Sequence, residues 1–166
     1  MKILTGLPNG SGATFATSLG YMTQLLFRGP RKNFPISAIA NWLAPPVRLG
    51  QHVMFFDEHA NPIGYATWAY LSDEVSAMME QDVVSLLHPS EWNEGLNVWV
   101  TDLFSLPGFS SYIISHLRNV TFRDVNLVRA LKRDSNDSLV RVRKFMRCIR
   151  RPPAFSSGPI LSPELL

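Results

Sequence analysis

The run Asn97-Val98-Trp99-Val100-Thr101-Asp102-Leu103-Phe104-Ser105-Leu106-Pro107-Gly108 constrains this chain more than any other stretch. Val98, Trp99, Val100, Leu103 and Phe104 are strand formers at both odd and even positions, so the spacing predicts a strand covered on both faces, with Pro107-Gly108 as its stop. Asp102 interrupts that apolar run. An ionised carboxylate in a dry sheet costs on the order of several kcal/mol unless donors or a cation meet it. Asp102 therefore sits at the wet end of the strand or is kept for chemistry, the structural alternative being an Asp that caps the following turn.

The rest of the chain can supply the covering layers. With 166 residues, 46% of them hydrophobic, it has the length and composition for one domain with a sizeable core. The expected organisation is a flexible arm over residues 1–17, a domain over 18–148 and a Pro/Ser-rich tail over 149–166. No apolar run approaches the ~20 residues a membrane-spanning helix needs. The N-terminus is broken by Pro8 and Gly10 before a signal-peptide core can form, so the sequence reads as soluble and unexported. Cys148 is the single cysteine, which suits a reducing compartment; it lies in a basic tail and reads as an ordinary free thiol.

Charge is segregated along the chain. Between Arg48 and Arg118 there is no Lys or Arg but nine acids, whereas Arg118 to Arg151 carries eleven basic residues against Asp124, Asp134 and Asp137. Either these are solvated faces, or the basic end docks an acidic macromolecule. Nucleic acid is a minor reading, because no zinc pattern, aromatic-glycine RNA signature or helix-turn-helix spacing accompanies the charge.

Thr5 to Thr14 is loop by composition, and its glycines fail as a phosphate loop because no Gly-Lys-Ser/Thr follows. From Thr14 or Ser18 a helix carries Leu19, Met22, Leu25 and Leu26 at helical spacing. A tight basic loop holding Arg28, Arg31 and Lys32 follows; it either binds an anion or is simply solvated. Pro35 opens a second helix with Ile36, Ile39, Ala40 and Leu43 on one side, ended by Pro45-Pro46. Val47 to Asp57 and Pro62 to Leu71 form a hairpin around a turn that contains His59. Ser72 with Asp73 caps a helix, Val83 to Leu87 is ambiguous, and His88 to Gly95 is loop. After the Asp102 strand, Ser110 caps a helix carrying Tyr112, Ile113, Ile114 and Leu117. Asp124 to Lys132 and Ser138 to Met146 form a last hairpin. His52, His59, His88 and His116 show no metal-ligand spacing. The element order implies an α+β or α/β sheet with helices on both faces.

Several strings, in order and at compatible spacing over residues 18 to 147, resemble the toxin-activating lysine acyltransferases. They are Arg31-Lys32-Asn33-Phe34-Pro35-Ile36-Ser37, Leu49-Gly50-Gln51-His52-Val53, Asn61 to Ala69, Trp99-Val100-Thr101-Asp102 with Pro107 behind it, and Leu127 to Lys132. The resemblance implies an α+β fold like that of the GNAT acetyltransferases, a mixed, mostly antiparallel sheet flanked by helices. It also implies a cytoplasmic bacterial enzyme, often a homodimer, with no bound cofactor, that moves a fatty acyl chain from acyl carrier protein to internal lysines of an RTX protoxin. The family site uses a histidine and the central-strand aspartate; Asp102 matches the aspartate, and Arg31 stands where the histidine belongs. That departure matters, because a lysine ammonium with a pKa near ~10.4 must lose a proton and arginine cannot accept one. Three outcomes follow: Asp102 acts alone with Arg31 binding the thioester carbonyl or a phosphopantetheine phosphate, another histidine such as His52 serves, or the fold has lost its chemistry and only binds a toxin-like partner or an acyl carrier. Under the enzyme reading Arg28, Lys32 and Trp68 contact substrate, and Arg141, Arg143 and Lys144 dock the carrier protein.

Overall fold

The run around Asp102 forms strand β4 (Asn97–Ser105), buried at Val98, Trp99, Val100 and Phe104 on alternating sides of the sheet. The computed structural model describes residues 3–5, 15–29, 32–33, 35–81, 86–133 and 139–146. They build one sheet in the order β1 (Leu4–Thr5), β2 (His52–Phe56), β3 (Pro62–Leu71), β4, β5 (Leu127–Arg133) and β6 (Leu139–Met146). Neighbouring strands are antiparallel except β4 and β5, which run parallel. A parallel pair needs a crossover. Helix α5 (Ser110–His116) and the π-turn behind it (Leu117–Thr121) supply it, placing Ile113 and Leu117 against Phe55, Val98, Val100 and Val128. The expected α+β class, a mixed and mostly antiparallel sheet flanked by helices, is the observed one.

The opposite face is covered by α1 (Phe15–Phe27), α2 (Ile36–Ala38) and α3 (Ala44–Arg48), with Met22, Leu25, Leu26, Leu43 and Val47 packed on Met54, Phe56, Tyr65 and Phe104. Helix α4 (Asp73–Glu80) closes the far end of that face, where Val75 and Met79 meet Leu71, Trp92 and Trp99. Ser72 caps it as expected, its hydroxyl accepting from the Val75 N–H at 3.2 Å. The loop before β4 is pinned by Trp92, fully buried and edge-on to Trp42.

Several expectations are corrected. Leu4 and Thr5, read as part of the arm, pair with Phe56 and Phe55. Pro45-Pro46 does not end the second helix. A π-turn over Ile39–Leu43 sends the Ala44 N–H to the carbonyl of Ile39, and the prolines then occupy the first turn of α3, where their missing N–H groups cost nothing. The same turn changes the phase of the buried face, so Trp42, Leu43, Ala44, Pro46 and Val47 are inside while Ile36 is 84% exposed. Val47 is therefore helical, and the hairpin begins at His52. Ser110 is not a cap: Phe109 holds that position without a side-chain bond. His59 is a turn residue, its N–H donating to Asp57 Oδ1 at 2.9 Å. The turn at 134–138, the tail and Cys148 lie outside the described residues.

Candidate active site

Thr67 on β3 faces Asp102 on β4, but the next pair is Trp68 with Val100, so Thr101 is an extra residue in β4. A bulge breaks the strict alternation of side chains. Val98, Val100 and Leu103 pack on the α5 side. Trp99 and Phe104 serve the opposite side, and Thr101 and Asp102 reach partners there: the Thr67 and Thr101 hydroxyls are 3.0 Å apart, and Asp102 meets Tyr65.

Each oxygen of the Asp102 carboxylate accepts a hydrogen bond. The Tyr65 hydroxyl donates to Oδ2 at 2.7 Å and the Leu103 N–H donates to Oδ1 at 2.8 Å. Tyr65 has no exposed surface and lies nearly parallel to Phe104, with ring centroids 6.0 Å apart and planes 14° from each other. Gly29, at the end of α1, rests on the edge of Phe104; a Cβ there would collide with the ring at Cε2 and Cζ. Only glycine lets the chain leave α1 along this path without displacing the ring that supports Tyr65.

His52 is opposite Thr67 on the other side, so His52, Thr67 and Asp102 form one row across three strands. Two strand spacings put about 10 Å between the first and last backbones. His52 Nε2 is 3.0 Å from the hydroxyl of Ser18, itself buried on α1, and Nδ1 is buried without a partner among the described residues. His52 is therefore not bonded to Asp102. Burial disfavours its imidazolium and lowers its pKa from 6.5, so the ring is neutral at pH ~7.

The other expected site residues scatter. Arg31 lies outside the described residues. Arg28 and Lys32 are exposed in the turn after α1. Trp68 is on the other face of the sheet, buried edge-on against Phe122 at 5.3 Å, and so does not meet Asp102. Lys144 is not a free cation: its Nζ is 3.0 Å from Glu80 Oε2, and Arg129 Nε binds the other oxygen of Glu80 at 2.7 Å. Lys144 first and Arg129 second hold the Glu80 carboxyl below its usual pKa. Arg141 and Arg143 stand opposite Lys132 and Ala130 in the β5–β6 pairing; their side chains lie outside the described residues. No group of three or more metal-ligating side chains occurs among the described residues.

The sequence profile of the RTX toxin acyltransferase family matches residues 12–146. The chain belongs to this family. Similar proteins include the lysine-acyltransferase RtxC of Vibrio cholerae, 27% identical over 126 residues, which are 71% of this chain and 76% of that one. The protein-lysine myristoyltransferase HlyC of Escherichia coli is 28% identical over 128 residues, 76% of this chain and 73% of that one. An uncharacterised protein of Synechocystis is 30% identical over 116 residues, 68% of this chain and 78% of its own. Among solved structures, one described as histone acetyltransferase HPA2 and related acetyltransferase from Corynebacterium glutamicum aligns with a TM-score of 0.43 and 11% identity, over 82% of this chain and 80% of that one; at that distance the likeness carries no argument.

In this member of the RTX toxin acyltransferase family the acid of the central strand is thus a carboxylate with a fixed plane, beside a row of hydroxyls and a neutral histidine. Such a carboxylate can receive a proton from an amine placed beside it. Tyr65 and Ser18 escape a reading of the sequence: Tyr65 shares the face of Asp102 only because of the bulge, which period-two alternation does not signal.

Proposed function

We propose that this chain is a protein-lysine fatty acyltransferase that takes an acyl chain from acyl carrier protein to internal lysines of an RTX-like protoxin in the cytoplasm. Family membership supports the reaction class, and the observation that carries the site is the doubly anchored carboxylate of Asp102. The acceptor lysine arrives as an ammonium and gives one proton to Asp102. The neutral amine then attacks the thioester carbonyl, the C–N bond forms, the C–S bond breaks, and the second nitrogen proton ends on the departing sulfur. Holding amine and thioester in line is the larger part of such catalysis. In this proposal Arg31, with the neighbouring Arg28 and Lys32, supplies positive charge for the donor, either for the carbonyl oxygen as it develops charge or for the phosphopantetheine phosphate.

One feature favours a second reading. Arg31 stands in place of the histidine that the resemblance leads one to expect, and arginine cannot act as a base. Under that reading the chain keeps the fold and binds a toxin-like partner or an acyl carrier without chemistry. Incubation with acyl-loaded carrier protein and an RTX protoxin, followed by peptide mapping, separates the two. Acyl groups on lysine Nζ atoms support the enzyme; a stable complex with unmodified lysines supports the binding protein.

A further inference from the structure

We propose that Tyr65 is the positioning residue of Asp102, fixing the plane in which its carboxylate meets the acceptor amine; this rests on the acyltransferase reading above. The terminal torsion of an aspartate is broad and roughly two-fold, so a carboxylate held at one oxygen still rotates. Here, among the described residues, the Leu103 N–H donates to Oδ1 and the Tyr65 hydroxyl donates to Oδ2. The second anchor is itself immobile: Tyr65 is fully buried, with Phe104 stacked on its ring and Met54 in the same cluster. Gly29 presses on the far edge of Phe104, so the chain leading into the basic loop and the carboxylate share one rigid support, Gly29 to Phe104 to Tyr65 to Asp102. A hydroxyl that only needed a partner for itself would be served by any carbonyl nearby. This one ends on the single carboxylate of the central strand at a bulge that turns it to the same face.

Tyr65→Phe removes the hydroxyl and keeps the stacked ring, and Phe104→Leu keeps the hydroxyl and removes the ring beneath it. Acyl transfer is measured for both, normalised to folded protein by circular dichroism, together with the Tyr65 hydroxyl proton resonance in the native protein and in Asp102→Ala. The expected result is a loss in kcat of about 10- to 100-fold for Tyr65→Phe with KM unchanged, a smaller loss in the same direction for Phe104→Leu, and a hydroxyl resonance that disappears in Asp102→Ala. Native kcat in folded Tyr65→Phe, or a resonance that survives Asp102→Ala, overturns the positioning role while leaving the acyltransferase reading intact. An inactive native protein overturns that reading and the role with it.

Discussion

The carboxylate of Asp102 and the imidazole of His52 flank Thr67 on one sheet face, one anchored by hydrogen bonds and the other buried. Asp102 accepts hydrogen bonds from the Tyr65 hydroxyl and the Leu103 N–H, which hold its carboxylate in place. His52 is desolvated, which favours its neutral form. The consequence for stability has a definite sign. Below pH ~6.5 the unfolded imidazole gains a proton that the buried ring resists, so the unfolded state binds more protons and stability falls with falling pH until the folded ring also titrates. His52→Gln, which keeps a polar partner for Ser18, should flatten the decline between about pH 7 and pH 5 in urea-unfolding curves; an unchanged slope would mean that another group carries it. Asp102 was legible in the sequence, because a carboxylate inside an apolar run is anomalous on physical grounds. Tyr65 was not, because no residue type announces that β4 gains a residue at Thr101.

Elements tell a similar story. The β2–β3 hairpin and the capped α4 follow from alternation, turn residues and a Ser-Asp start, all local signals. The π-turn at Ile39–Leu43 is not a local signal. It answers two prolines that would otherwise break the helix, and it decides which side of the segment meets the sheet. The clamp of α4 onto the last hairpin was equally hidden, since Glu80, Arg129 and Lys144 are far apart in the chain. Arg129 also donates to Asn97 Oδ1 at 3.1 Å and lies 5.9 Å from the centre of the Trp99 ring, so one guanidinium ties α4, β4 and β5 together. These side chains are partly exposed, and solvent screening keeps the contribution small. Glu80→Gln should cost about 0.5–1 kcal/mol in denaturant unfolding, less at high salt. A loss well above that range would show a more deeply desolvated network than the geometry indicates.

At the scale of the whole molecule, folding uses part of the charge segregation seen in the sequence. The acidic middle and the basic end meet at Glu80, so Lys144 is engaged internally, and under the proposed function Arg141 and Arg143 are left to dock the carrier. Reversing both to Glu should weaken carrier binding and flatten its dependence on salt; unchanged binding would place the docking face elsewhere. Among the described residues no helix is long and apolar enough to cross a membrane, and the sheet with helices on both faces is what the two-sided apolarity of β4 required. Under the proposed function this member of the family transfers acyl groups through Asp102 although arginine replaces the expected histidine. Intact-mass spectrometry of an RTX-like acceptor, after mixing with fatty-acyl-loaded carrier protein and either the native chain, Asp102→Ala or Arg31→His, tests it directly. Acyl addition by the native chain that vanishes with Asp102→Ala is the predicted result; no addition by the native chain, with addition by Arg31→His, would contradict it.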